Sequence, residues 1–342
     1  MKGVLTFANN EVMLQKIIPP IQNTNGTLTF NEKGFALNAM TSTFLGGPVQ
    51  AAGGTQTNGT SQIKISGMAS IAGLRGNYPN ASTQSLLSHA SGSTPYNATV
   101  SIHDHHTELR VDSSMQGLAL NFPAPLRKAA NDNMPFKFVW MVTPTSDVAA
   151  ITSAPLNDVI KLSLGTTIMA QYQRQKSAEK NAEWWVLRGG IGINVAAPEP
   201  ESGLSLHLQA KSLNVDEWHK LANLANDGVG NSAENKTSSN ASEIGQYITP
   251  NAVAVHATEL TLLDKKLNNV VVGATYQNNI WQANIDATQA SGFITWSESR
   301  SGRGLGKVTA RLSSLHIPES ATADVKDLLE SKDAATQIPS LD

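Results

Sequence analysis

The sequence predicts an all-β protein built from many short strands, and two observations lead to that fold class. Apolar and polar residues alternate with a period of two in segments that recur along the whole chain, as in strands with one buried face. The 342 residues also include 26 Gly and 15 Pro among abundant Asn, Ser and Thr, which is typical of frequent turns. Patterns with helical spacing are few.

The overall composition excludes several classes of protein. With 40% hydrophobic and 15% charged residues, the chain can bury apolar surface and lacks the charge of a disordered tail or a coiled coil. A formal net charge of -2 gives no basic field, so we expect no nucleic-acid partner. The absence of cysteine excludes disulfides, thiolate metal sites and a cysteine nucleophile.

The strand segments follow one another from the first hairpin onward. Leu28 and Phe30 precede the turn 31–34, and Leu37 follows it, with Gly34 suited to the positive φ of such a turn. The same alternation marks later strand segments at residues 62–66, 108–113, 191–195, 204–211, 270–272, 280–287 and 293–296. Each of these segments predicts a strand with one apolar face.

Helical spacing predicts two short helices, and the composition of one segment predicts a division of the chain into two parts. Asn214 can cap a helix at about 214–226, with Trp218 and Leu221 on one stripe, and a second amphipathic stretch lies at 323–331. Residues 227–246 are nearly all small, polar or charged and predict a flexible loop or linker. We therefore expect one β segment at 1–226 and a second, truncated one at 247–342.

Metal and cofactor sites find little support in the sequence. The segment from His103 to His106 places two histidines on one strand face, but no third ligand is specified, and a hairpin tip is the favoured interpretation. The glycines at 302, 304 and 306 precede Lys307, yet Ser301 and Val308 occupy positions where a phosphate loop needs Gly and Ser or Thr. We therefore predict neither a metal nor a cofactor.

The usual catalytic motifs of hydrolases and metalloproteases are also missing, so the sequence favours a protein that is not an enzyme. A carbohydrate-active enzyme remains the less favoured alternative, because the two carboxylates of glycosidases carry no local motif.

Several short segments occur in an order that is known from one protein family. They are Gly26-Thr27-Leu28-Thr29-Phe30, Lys33-Gly34-Phe35, Phe44-Leu45-Gly46-Gly47-Pro48-Val49, Ile63-Lys64-Ile65-Ser66-Gly67-Met68-Ala69, residues 109–118 with Phe122-Pro123-Ala124-Pro125-Leu126-Arg127-Lys128, Leu213-Asn214-Val215-Asp216-Glu217-Trp218, residues 273–296 and residues 311–318. This order resembles that of the AsmA-like proteins, most closely the YhdP family, over nearly the whole chain.

The resemblance implies a more specific fold and function. It implies an elongated, curled antiparallel sheet that forms an open apolar groove, a repeating β-groove or β-taco, with one or two short marginal helices. Family members are several times longer and begin with a membrane anchor, so the resemblance also implies an internal fragment. The parent protein is expected to be anchored to the inner membrane in the periplasm of diderm (Gram-negative) bacteria.

In such proteins the groove shields acyl chains and helps phospholipids to reach the outer membrane. The expected partners are therefore phospholipid acyl chains, and the two membranes through other parts of the parent chain. The residues expected to face lipid are those on the apolar sides of the clearest strands: Leu204, Leu206, Leu208, Val270, Val272, Trp281, Ala283, Ile285, Ile294 and Trp296. A register error of one residue would move any of them to the other face.

Alternation by itself leaves other architectures open. Alternating strands more often close on a packed core in a sandwich or barrel, which would suit a β-rich envelope scaffold or adhesin. A parallel β-solenoid is a further competitor, although no repeat of fixed period is found.

Overall fold

A computed structural model describes residues 2–13, 19–78, 81–103, 106–143, 156–177, 183–227, 245–297, 307–316 and 340–341. Strands dominate these described residues. The strands are β1 (Gly3–Val12), β2 (Ile21–Asn31), β3 (Gly34–Phe44), β4 (Gly47–Thr55), β5 (Ser61–Ser70), β6 (Ala90–His103), β7 (His106–Ser113), β8 (Leu118–Leu120), β9 (Phe136–Thr143), β10 (Leu156–Leu164), β11 (Ile168–Lys176), β12 (Trp184–Ile193), β13 (Gly203–Asn214), β14 (Ala252–Leu262), β15 (Lys265–Gln277), β16 (Ile280–Asp286), β17 (Ala290–Ser297), β18 (Lys307–Leu315) and β19 (Ser340–Leu341).

The helices are α1 (Ile71–Asn77), α2 (Ala81–Ser88) and α3 (Val215–Asp227), and a further helical turn lies at 245–248. Ser70 caps α1 through a hydrogen bond from the backbone N–H of Gly73 to its hydroxyl. Asn214 caps α3 in the same way, accepting from the backbone N–H of Glu217 at 3.1 Å. The helix predicted at 214–226 is therefore present in the structure.

One curled, unclosed sheet contains every strand except β8. Spatial neighbours follow chain order, but β7 pairs directly with β9, because β8 folds away and pairs with the beginning of β6. The predicted all-β fold is confirmed, and a closed sandwich or barrel is not the architecture. Antiparallel neighbours also exclude a parallel solenoid.

The sheet is mixed, since β13 runs parallel to both β12 and β14, and β19 runs parallel to β18. A parallel neighbour requires the chain to return to the end of the sheet where the preceding strand began. Residues 194–202 make this return between β12 and β13. Their backbone lies against the sheet so closely that a side chain at Gly190 would be 1.8 Å from the Pro198 carbonyl oxygen.

Two clusters of buried side chains support the sheet, and both lie at the margin where the helices are. The first joins Ile71 of α1 to Ala90 of β6 and to Leu118 and Leu120 of β8. The second joins β13, β14 and β15 to Ala287, which directly follows β16, and α3 packs against it through Val215 and Trp218. We call this margin the helix side of the sheet and the opposite strand ends the rim.

Some sequence predictions concern residues outside the described part of the chain. They include the middle of the His103–His106 segment, the glycine-rich turn at 302–306, the amphipathic stretch at 323–331 and most of the predicted linker. These predictions remain untested.

Candidate functional site

One face of the sheet is apolar from strand to strand. Residues paired across neighbouring strands point to the same face, so the register assigns each side chain to a face. One row of paired residues, here named the central row, crosses every strand from β3 to β18 except β8. It consists of Met40, Ala51, Ile65, Ala98, Val111, Phe138, Leu162, Ala170, Ile191, Leu206, Val253, Ala274, Ala283, Ile294 and Ala310. The row is an unbroken apolar line.

Two further rows flank the central row on the same face. The helix-side row runs from β9 to β18 through Phe136, Leu164, Ile168, Ile193, Leu208, Val255, Val272, Ile285, Gly292 and Leu312. The rim row runs from β1 to β13 through Leu5, Leu28, Leu37, Gly53, Ile63, Val100, Leu109, Trp140, Ile160, Tyr172, Gly189 and Leu204. It resumes in β15 to β18 as Tyr276, Trp281, Trp296 and Val308.

The opposite face is mostly polar. The row of paired residues there, taken one position away from the central row, is Lys64, Thr99, Arg110, Val139, Lys161, Gln171, Gly190, Ser205, Ala252, Thr275, Gln282, Thr295 and Thr309. The sheet is thus amphipathic along its length, with a continuous apolar face and a polar one.

The apolar face has open space beside it between β3 and β6. A cavity of about 620 Å³ has Met40, Ala51, Ile65 and Ala98 of the central row in its lining. Two of these four are alanines, so the central row is recessed at this point.

The ten residues predicted to face lipid all lie on this apolar face. Leu206, Ala283 and Ile294 belong to the central row, Leu208, Val272 and Ile285 to the helix-side row, and Leu204, Trp281 and Trp296 to the rim row. Val270, two residues before Val272, packs in the buried cluster beneath α3. Val270 is 0% and Leu204 2% exposed, so these two have almost no surface for a ligand. A lipid contact for the others stays a prediction.

A buried ion pair interrupts the apolar face near the rim, two residues beyond the rim row. Asp158 of β10 accepts hydrogen bonds from Nε and Nη2 of Arg174 in β11, the first at 2.8 Å. The indole Nε1 of Trp140 donates a third bond to the carboxylate at 2.6 Å. The Asp158 side chain has no exposed surface, whereas that of Arg174 is 14% exposed.

The helical turn at 245–248 packs onto this ion pair. Nη1 of Arg174 donates to the hydroxyl of Tyr247 at 2.6 Å, and the hydroxyl of Tyr172 donates to the Tyr247 carbonyl at 2.9 Å. The guanidinium also lies 5.0 Å from the ring centre of Trp184. Beside them, the Gln246 side chain bonds the Val186 N–H and the Trp184 carbonyl. These contacts hold the turn against β11 and β12.

The protonation of this cluster follows from its surroundings. Burial alone would lower the pKa of Arg174, but hydrogen bonds to Asp158 and Tyr247 outweigh it and raise that pKa. Burial raises the pKa of Tyr172 to about 12. Both groups therefore keep their protons, and their capacity to donate hydrogen bonds, at neutral pH.

Sequence reasoning missed two parts of this face. It did not identify the first half of the central row as ligand-facing, although Ile65 and Val111 lie in segments recognised as strands. It also missed Asp158 and Arg174. Each is a charged residue two positions from an apolar or aromatic residue of the same strand face, Ile160 and Tyr172 respectively, and this break in the alternation could have identified them. No local motif joins the two charges, because they meet only across a hairpin.

An unclosed sheet with one continuous apolar face defines a protein of the β-groove class. The family model described as YhdP protein matches residues 1–342, and the chain belongs to the YhdP family. Membership indicates a lipid-transport-related envelope protein of a transport-type rather than an enzymatic family.

Comparison with curated proteins gave no match, and neither did comparison with solved structures. Among the described residues, no helix combines the length and the apolar character required to cross a bilayer.

Proposed function

We propose that the apolar face shields phospholipid acyl chains from water, as one section of a periplasmic conduit between the inner and outer membranes. In this proposal the parent chain supplies the anchor in the inner membrane and the contact with the outer membrane. The observation that carries the proposal is the unbroken central row, from Met40 to Ala310.

The length of the central row suits more than one lipid. Neighbouring strands lie about 4.8 Å apart, so the row from β3 to β18 extends over roughly 65 Å. One acyl chain spans about half of a hydrocarbon core that is about 30 Å thick, or roughly 15 Å. Several acyl chains therefore fit along the face one after another, as a conduit requires.

The energetics of such a face favour movement along it. Burying one CH₂ group gains about 0.8 kcal/mol, so a chain of about sixteen carbons gains on the order of 12 kcal/mol over water, close to what a bilayer offers. Because one apolar residue follows another along the row, a chain can shift along it with little change in free energy. Transfer of this kind needs no catalytic group, and its direction must be set elsewhere.

The alternatives gain no support from the described residues. The scaffold or adhesin was expected to have a closed core, whereas this sheet is unclosed. On the polar face, a cavity of about 300 Å³ beside Lys161 and Arg188 has Glu199 as the single carboxylate among its described lining residues. Glycoside hydrolysis generally requires a pair of carboxylates.

Native mass spectrometry with lipid extraction tests the proposal on the purified chain expressed in a diderm host. We expect co-purified phospholipid in the wild type and its loss in the double variant Leu206→Asp, Ile285→Asp, with the fold retained by circular dichroism. The matched control is Ser205→Asp, Gln282→Asp, which places the same charges on the polar face of the same two strands. A folded wild type without lipid, or equal lipid in both double variants, contradicts the proposal.

A further inference from the structure

The two margins of the apolar face differ in what covers them. On the helix side, α1, α2 and β8 enclose one buried cluster and α3 covers the other, so apolar side chains are sealed there. At the rim of β10 and β11, the face instead ends in polar and charged groups. A ligand with one apolar and one polar end therefore meets a different environment at each margin.

The charged side chains of the apolar face are concentrated at one place. We consider the described residues of the three rows and those on the same face of each strand between the rim row and the rim. The charged residues in this set are Asp158, Arg174 and Lys176. Lys176 follows Arg174 by two residues and pairs with Leu156 and Trp184, so it lies on the same face and nearer the rim. In the described parts of the chain, Lys176 forms no ion pair.

This cluster presents hydrogen-bond donors to its surroundings. The Asp158 carboxylate has no exposed surface and lies beneath the guanidinium, where it fixes the orientation of Arg174. Arg174, Lys176 and Tyr247 are each partly exposed, and the Tyr247 hydroxyl, which accepts from Arg174, has one O–H group to donate. A set of donors with one uncompensated positive charge fits an anion.

Amphipathic aromatic residues flank the cluster along the rim. Trp140, Tyr172 and Trp184 lie next to the ion pair, and Tyr276, Trp281 and Trp296 continue the rim row beyond β14. Tyrosine and tryptophan favour boundaries between apolar and wet surroundings, because they have an apolar ring and a polar group. Their position marks the rim as the boundary with water.

We propose that Arg174, Lys176 and Tyr247 bind the phosphate of a phospholipid headgroup at the rim while its acyl chains extend toward the helix side. This inference rests on the proposed function, since it requires acyl chains on the apolar face. It adds the orientation of the lipid, the class of headgroup and the residues that contact it.

The test uses the full chain and two lipids with the same acyl chains, dioleoyl phosphatidylglycerol and dioleoylglycerol, offered in equal amounts in non-ionic detergent micelles. Bound lipid is quantified by mass spectrometry after the protein is re-isolated. In Lys176→Gln we expect the ratio of bound phosphatidylglycerol to diacylglycerol to fall about fivefold, the effect of about one Lys near an anionic lipid. Lys176→Glu should lower the ratio further. The control is Lys161→Gln, on the polar face of β10, which should keep the wild-type ratio.

The outcomes separate this inference from the proposed function. If both lipids bind but Lys176→Gln and Lys161→Gln give the wild-type ratio, the headgroup site is wrong and the apolar groove stands. If neither lipid binds to the wild type, the proposed function fails and the headgroup site with it. Inorganic phosphate at the same concentration as phosphatidylglycerol distinguishes a free anion from a headgroup, because only the lipid is also held by its acyl chains. Such phosphate should leave the ratio unchanged, and a ratio lowered as strongly as by Lys176→Gln would overturn the assignment to a lipid.

Discussion

Arg174 and Asp158 face each other as direct partners in neighbouring strands and form a two-bond ion pair on the apolar face, just beyond its rim row. Removing the cation leaves a carboxylate with no exposed surface. We therefore expect Arg174→Met to lower the free energy of unfolding by about 3–5 kcal/mol, measured by urea denaturation followed by tryptophan fluorescence.

The double variant Asp158→Leu, Arg174→Met should recover most of that loss, because it removes both charges and leaves apolar side chains on an apolar face. Arg188→Met is the control: Arg188 lies on the polar face and bonds Gln173 at an exposed site, so its effect should stay within about 0.5 kcal/mol. If the double variant is as unstable as Arg174→Met, the ion pair itself stabilises the fold relative to apolar side chains. The loss in Arg174→Met would then not come from an unpaired buried carboxylate alone.

Asp216 in the first turn of α3 should make stability depend on pH. Its carboxylate accepts the backbone N–H groups of Asp264 at 2.9 Å and Leu263 at 2.8 Å, and these bonds lower the pKa of Asp216 below 3.8. A carboxyl with a lowered folded-state pKa stabilises the protein above its unfolded pKa, and this contribution is lost as pH falls through the folded value.

Asp216→Asn should therefore lower the Tm most at neutral pH, and the difference from wild type should shrink as pH falls below about 3.8. Thermal denaturation by circular dichroism across this pH range measures it. A Tm difference that is the same at neutral and acidic pH would show that the charge of Asp216 does not contribute.

The helix side of the sheet depends on a close approach of two glycines. A Cβ on Gly73 of α1 would lie 2.1 Å from the Cα of Gly46, in the turn between β3 and β4. We expect Gly73→Ala to separate α1 from that turn and to cost about 1–3 kcal/mol of unfolding free energy.

The matched control lies in the same helix. A Cβ on Gly76 would meet nothing within 4 Å, so Gly76→Ala should be neutral or stabilise by up to about 1 kcal/mol through helix propensity. Equal effects of the two substitutions in chemical denaturation would contradict the importance of the close approach.

The sequence predicted the positions and the apolar faces of the strands better than it predicted which strands pair and in which direction. Alternation at 204–208 and 281–285 placed Leu206 and Ile285 on the face that the register gives them, because the side-chain period of a strand is fixed by local geometry. Pairing between strands is not local. Nothing in the segment 194–202 specifies that it returns along the sheet and makes β13 parallel to its neighbours.

The ion pair shows the same limit. In the sequence, Asp158 and Arg174 each appear only as a charged residue at an apolar position of the alternation. The hairpin of β10 and β11 places them opposite each other, where they form an ion pair. The pairing of β7 with β9 also depends on β8 leaving the sheet, which follows from packing against α1 and α2. Contacts of this kind depend on tertiary structure and leave no motif in the sequence.

Two adjacent alanines of β4 allow a test in which the same substitution is made on opposite faces of the sheet. Both alanines border the cavity of about 620 Å³, but Ala51 belongs to the central row, whereas Ala52 pairs with Lys64 and its side chain points to the polar face. A phenylalanine at Ala51 would fill the recess over which acyl chains are proposed to pass. Ala51→Phe should therefore reduce co-purified phospholipid, and Ala52→Phe should leave the wild-type amount.

Both variants gain the same side chain in the same strand, so a general effect of added bulk on β4 should appear in both. Circular dichroism and Tm verify that each is folded, and extraction followed by mass spectrometry counts lipid per chain. If a folded Ala51→Phe carries as much lipid as Ala52→Phe, acyl chains do not follow the central row through β4. If lipid falls only in Ala51→Phe, the result supports acyl chains that follow the central row across the recess between β3 and β6.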